Sequence, residues 1–290
     1  MQLRKYLLAP GNIFWIKKSG KQVLLCKKGD LINLNFIQKL ETNKEKILLS
    51  EAINFEIQKD FQTDYSNFEL ELVIREKIAW RERFIGKFKD YFLDNEVGQL
   101  ELDMLAWSLF SNFSPKESED FLNQDNDIFR RHLSVASSYT FCAFFLGYYS
   151  TGFLSTLFTK TLKSLMSIGE KGTVRPLKAK LEKINKLETF TKIDLEEILL
   201  IENTSNLLHS GFFERYDGTG ISHVNIREML DLEIVLIAIN RQMEFFKNEN
   251  LNLFKAIEKN EFRCDSKLTG LIRRTLLERD QGIVQIVGLG

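Results

Sequence analysis

Few residues of the chain combine the types and spacing that chemistry at neutral pH requires. Its three histidines, His132, His209 and His223, form neither H-E-x-x-H nor any other tight ligand pair. His132 stands beside the apolar stripe of its helix, where a structural imidazole outweighs a ligand. His209 falls near a helix end, where it meets the C-terminal dipole, and His223 falls in a loop. The three cysteines, Cys26, Cys142 and Cys264, have no C-x-x-C spacing, which argues against a disulfide framework or zinc knuckle and for a reducing cytoplasm. No phosphate-binding glycine loop and no G-x-S-x-G elbow occurs. Carboxylates such as Asp194, Glu196 and Glu197 belong to a solvated helix face. The segment from Phe212 to Ser222 stands apart. Gly218 and Gly220 mark a tight loop after a helix, with Asp217 placed to stabilise the turn.

That segment, Phe212-Phe213-Glu214-Arg215-Tyr216-Asp217-Gly218-Thr219-Gly220-Ile221-Ser222, resembles the H-H-E-[RK]-x-D-G-x-G-Y-P signature of HD-GYP domains. Other pieces run colinear. Arg131-His132-Leu133-Ser134-Val135-Ala136 resembles the opening helix, and Leu165-Met166-Ser167-Ile168-Gly169-Glu170 resembles L-H-D-I-G-K. Ile237-Ala238-Ile239-Asn240 resembles the V-A-D helix, and the stretch from Phe262 to Leu268 resembles F-D-P-x-L. Residues 24–40 resemble a module that precedes some members. The resemblance implies a helical bundle that in active relatives holds metals and cleaves cyclic di-GMP.

The departures fall on the ligands. The first family histidine is replaced by Arg131, the HD pair by Met166-Ser167, the paired histidines by Phe212-Phe213, the helix aspartate by Asn240 and Tyr-Pro by Ile221-Ser222. A remaining family histidine aligns with Arg175 or with Thr204. Phenylalanine has no donor atom, methionine only a thioether, and arginine brings a fixed positive charge that repels a cation. The resemblance therefore implies a degenerate site without metal, cofactor or hydrolysis. What remains is a scaffold for a protein partner, of diguanylate cyclase type or another signalling protein, with Glu214, Arg215, Asp217, Gly218 and Gly220 as the candidate partner or ligand loop. Two alternatives stand beside it: a receptor that binds cyclic di-GMP through Arg131, Arg175 or Arg215 without cleaving it, and an enzyme of unrelated chemistry.

These residues must be positioned by helices. Asn12 to Lys17 and Gln22 to Cys26 read as strands joined by a hairpin turn, 31–40 as a short helix and 46–50 as a third strand. This predicts a small α+β module over 1–55. The polar run from Glu56 to Asn67 reads as a linker. From Phe68 a helical domain extends to about residue 281, opened by an amphipathic helix carrying Ile74, Ile78, Ile85, Phe88 and Phe92. Further helices are expected at 98–112, 127–146, 151–167, 193–209, 224–247, 250–259 and near 266–278, with a helix start at Ser114-Pro115. The tail 282–290 is a short strand or a disordered end. The fold expected is mainly α, an HD-type bundle with an N-terminal α+β module.

Composition is compatible with that. The chain of 290 residues balances 40 Lys+Arg against 40 Asp+Glu, which argues against a broad nucleic-acid footprint while leaving room for a local basic patch. Leu133 to Thr159 contains no charge and is long enough to span a bilayer. However, Tyr148 to Gly152 interrupts its middle, and the 4-3-4 spacing of Val135, Tyr139, Cys142 and Leu146 favours two core helices meeting near Gly147. Arg131 continues that stripe by one step of four. The pattern thus predicts an inward guanidinium paired with Glu214 or Asp217, because an unpaired buried charge is strongly destabilising.

Overall fold

The β-prone runs Asn12–Ile16 (β1) and Gln22–Cys26 (β2) pair antiparallel in a computed structural model of the chain. The structure describes residues 8–95, 97–113, 121, 125–166, 197, 200–202, 204, 228–243 and 251–258. In the turn between the two strands Gly20 takes a φ of 78°, and its N–H donates to the Lys17 carbonyl at 2.8 Å. Helix Leu34–Thr42 (α1) starts at Asn33, whose side chain accepts from Phe36 N at 2.6 Å. Strand Ile47–Ser50 (β3) then pairs with β1, giving the order β2-β1-β3. Ile13, Ile37 and Leu40 form a small core between sheet and α1, with Ile47 and Leu49 against it.

The polar run expected to be a linker is a helix. Phe55–Leu70 (α2) begins at Asn54, whose side chain accepts from Glu56 N and Ile57 N, and it buries Phe61, Tyr65 and Phe68. Gln58 and Asp64 share the buried face, which masked the apolar period in the sequence. Asp64 pairs with Lys87 at 2.6 Å and with Arg83 at 3.5 Å. Helix Ile74–Phe88 (α3) runs on into a wider π turn, Lys89–Leu93, closed by Asp94 N donating to the Lys89 carbonyl at 3.1 Å. Ile74, expected to open the apolar stripe, is 62% exposed. It is the first residue of its helix, and Leu72 and Val73 just before it are exposed as well.

Gln99–Phe110 (α4), Asn126–Leu146 (α5), Thr151–Met166 (α6), Asp231–Met243 (α7) and Leu253–Glu258 (α8) complete the described elements. α5 is the axis. Every residue from Leu133 to Phe145 is buried, with α4, α6 and α7 packed around it. The uncharged stretch is thus two core helices joined at Gly147, whose φ of 99° closes α5. Among the described residues no helix is long and apolar enough to cross a membrane. Arg81 of α3 reaches the end of α5. Its Nε donates to the Phe144 carbonyl at 2.9 Å, its Nη2 to the Phe145 carbonyl, and its Nη1 to Glu82 at 2.8 Å. A cation thereby meets the carbonyls of the last turn, where the Phe144 oxygen also accepts from Gly147 N at 3.2 Å. Residues 197, 200–202 and 204 are helical. The expected helix near 266–278, the Ser114-Pro115 start and the 282–290 tail lie outside the described residues.

Candidate functional site

α5 and α6 form a hairpin, so the N-terminal end of one lies beside the C-terminal end of the other. Arg131 and Met166 therefore come to the same end of the bundle. The contact there is made by His132, whose Nδ1 lies 3.3 Å from the Met166 Sδ. Burial pushes the His132 pKa down to about 4, and the adjacent Arg131 charge adds to the shift. The imidazole is neutral at pH 7. Asn240 lies on α7, which packs along α5. Ser167, Arg175, Phe212, Phe213, Glu214, Arg215, Asp217, Gly218 and Gly220 lie outside the described residues.

Arg131 itself corrects the expectation. It is exposed, so the inward guanidinium predicted from the stripe is not formed. The extrapolation failed for a physical reason: α5 is buried on all sides from Leu133 to Phe145, so apolar spacing within that stretch cannot point to one face. At the start of the helix the buried position is Phe129, and the inward-reaching cation is the preceding residue, Arg130. Arg130 Nη2 donates to Asp30 Oδ1 at 2.6 Å and to the Lys28 carbonyl at 3.2 Å. Lys28 pairs with Glu101 of α4. The loop Lys27–Asp30 thus fastens the sheet module to the bundle.

Beside this fastener, Leu24, Leu25, Cys26, Asp30, Asp127 and Arg130 line a surface cleft of about 310 Å³. The Cys26 thiol lies 3.7 Å from Asp30 Oδ2. Burial, then the Asp30 charge and hydrogen bond, push its pKa up to about 12, with Arg130 opposing. A thiol held protonated at neutral pH is a poor nucleophile.

A second polar group, silent in the sequence, lies inside the bundle. Asp103 of α4 accepts from the Ser134 hydroxyl at 2.6 Å and from Gln99 Nε2 at 2.8 Å. Gln99 in turn accepts from Leu253 N at 2.8 Å, which ties α8 to the same network. Burial pushes the Asp103 pKa up to about 7; bonds from Ser134 and Gln99 oppose the shift, and the Glu101 charge adds to it. Asn252 extends the polar seam. Its Nδ2 donates to the Phe92 and Val97 carbonyls at 2.9 and 2.8 Å, and its Oδ1 accepts from Lys255 N at 2.9 Å. The bonds of Asp103 to Ser134, of Gln99 to Leu253 and of Asn252 to Phe92 and Val97 join separate elements, and no sequence signal marks them, because those partners are remote along the chain.

No family model matches the chain, and no curated protein or solved structure matches it.

Proposed function

We propose that the chain is a non-catalytic, HD-GYP-like helical protein that acts by contact with a protein partner, in a cyclic di-GMP pathway. The observation that carries this reading is the α5–α6 hairpin. It brings the first two ligand positions of the resemblance, Arg131 and Met166, to one end of the bundle, where a neutral imidazole faces a thioether. α7, bearing the Asn240 position, packs along the same central helix. In this reading the ligand positions of an HD-type bundle are held by Arg, Met, Ser, Phe and Asn. A metal cluster needs several imidazoles and carboxylates converging on one point.

The test joins two measurements on the purified full chain. Elemental analysis is expected to find no stoichiometric iron, manganese or zinc, and cyclic di-GMP supplied with manganese should remain intact. Tightly bound metal or measurable turnover overturns the proposal. Calorimetry with cyclic di-GMP separates the receptor alternative, which the exposure of Arg131 favours. Micromolar binding that Arg131→Ala abolishes would replace the scaffold reading with it.

A further inference from the structure

Although the whole chain is neutral, its charge is unevenly placed. Between Asn12 and Ser50 eight lysines face three carboxylates (Asp30, Glu41 and Glu45), a net charge of +5 without a single arginine. Topology concentrates part of this excess. β1 runs into the Lys17–Lys21 turn, and β3 emerges from the short helical turn Lys44–Lys46. Because β1 and β3 pair antiparallel, with Trp15 opposite Ile47, both turns lie at one end of the sheet. That end carries Lys17, Lys18, Lys21, Lys44 and Lys46, all exposed. The opposite end holds the loop that docks on the bundle through Lys28, Gly29 and Asp30. The lysine end therefore points away from the bundle.

The same sheet has an outward apolar row. Ile13, Ile47 and Leu49 face α1, so their strand neighbours face outward. Leu24, Phe14 and Leu48 stand in cross-strand register there. Leu24 and Leu48 are 44% and 36% exposed, and Leu25, in the irregular part of β2, is 41% exposed. At the lysine end the Lys46 ammonium lies 5.7 Å from the Trp15 ring centroid.

We infer that this outer sheet face and its lysine end dock on an anionic lipid surface, lying on the bilayer without crossing it. Charge complementarity carries the assignment. Lysines act as diffuse point charges toward headgroups, whereas recognition of discrete phosphates favours the arginine fork, which residues 12–50 lack. The exposed apolar side chains are mainly aliphatic, suited to the acyl boundary, whereas single-stranded nucleic acid asks for a platform of aromatic rings.

The experiment is vesicle flotation of the full chain at low and high salt. Phosphatidylcholine vesicles are compared with vesicles in which about a third of the lipid is phosphatidylglycerol. Binding is expected to the anionic vesicles only, and to be released by salt. Each lysine near such a surface is worth about five-fold in affinity. The triple variant Lys17→Gln, Lys18→Gln, Lys21→Gln should therefore bind roughly a hundred-fold more weakly, with its thermal melt unchanged. Leu24→Ser should weaken binding at every salt concentration. Absence of binding to anionic vesicles, equal binding to neutral ones, or an unaffected triple variant overturns the inference. So does tighter binding of a fluorescent oligothymidylate that the triple variant loses, since the face would then belong to nucleic acid. Neither result bears on the α5–α6 site.

Discussion

Asp103 and His132 titrate in opposite senses within the same pH range. The folded-state pKa of Asp103, about 7, lies above its ordinary value of 3.8, so the native protein holds that proton longer than the unfolded chain. Its contribution is complete below the ordinary value and is lost as pH rises toward about 7. For His132 the folded value of about 4 lies below the ordinary 6.5, so its contribution is present above 6.5 and is lost as pH falls toward 4. Denaturant melts across pH 4–8 should therefore separate them. Relative to wild type, Asp103→Asn should gain stability as pH rises, by on the order of 4 kcal/mol across the window, while His132→Gln should lose it. Parallel curves for either variant would show that its group does not titrate as described. Of the two, only His132 was legible in the sequence, as a structural histidine beside an apolar stripe. Asp103 was not, because Ser134, its partner on α5, is 31 residues away along the chain. A carboxylate on a helix looks solvated until its neighbour is known.

Helices and strands were legible where one face is apolar and the other is not, and were misjudged elsewhere. β1, β2, α1 and β3 lie within three residues of their expected bounds, marked by turn and cap residues, and the two-helix reading of the uncharged stretch rests on the break near Gly147. α2 escaped because Gln58 and Asp64 occupy buried positions, and the facing of Arg131 was misjudged because α5 has no exposed side over most of its length. The α5–α6 corner depends on two residues of unequal weight. Arg81→Ala leaves the Phe145 carbonyl without its side-chain donor and the Phe144 carbonyl with the Gly147 N–H alone, and should cost about 2 kcal/mol, since a buried acceptor stays unsatisfied. Gly147→Ala should cost only about 1 kcal/mol, because a Cβ there meets nothing closer than 3.9 Å and the penalty is backbone strain alone. Chemical denaturation ranks them, and a larger loss at Gly147 would refute this account of the corner.

Across the molecule, the module and the helices are less separate than the sequence suggested. Leu8 and Ile53 belong to the main core, and α2 occupies the stretch that would have been a linker. The seam between them closes at Gly29, whose φ is 82° and where an added Cβ would lie 2.4 Å from Leu100 Cδ1. Gly29→Ala should therefore loosen the sheet from α4 and speed proteolysis in the Lys17–Lys28 region severalfold; an unchanged cleavage rate would show that the seam yields without cost. The sequence could not reveal this junction, because the glycine gives no hint of the leucine it must meet. The uneven charge also acts at long range. With +5 between residues 12 and 50, and +2 from Arg4 and Lys5, residues 51–290 carry −7. At neutral pH the protein is thus a large permanent dipole. An electric field turns it more than it moves it, and in dilute buffer its basic tip attracts the acidic body of the next copy, so that added salt raises its solubility.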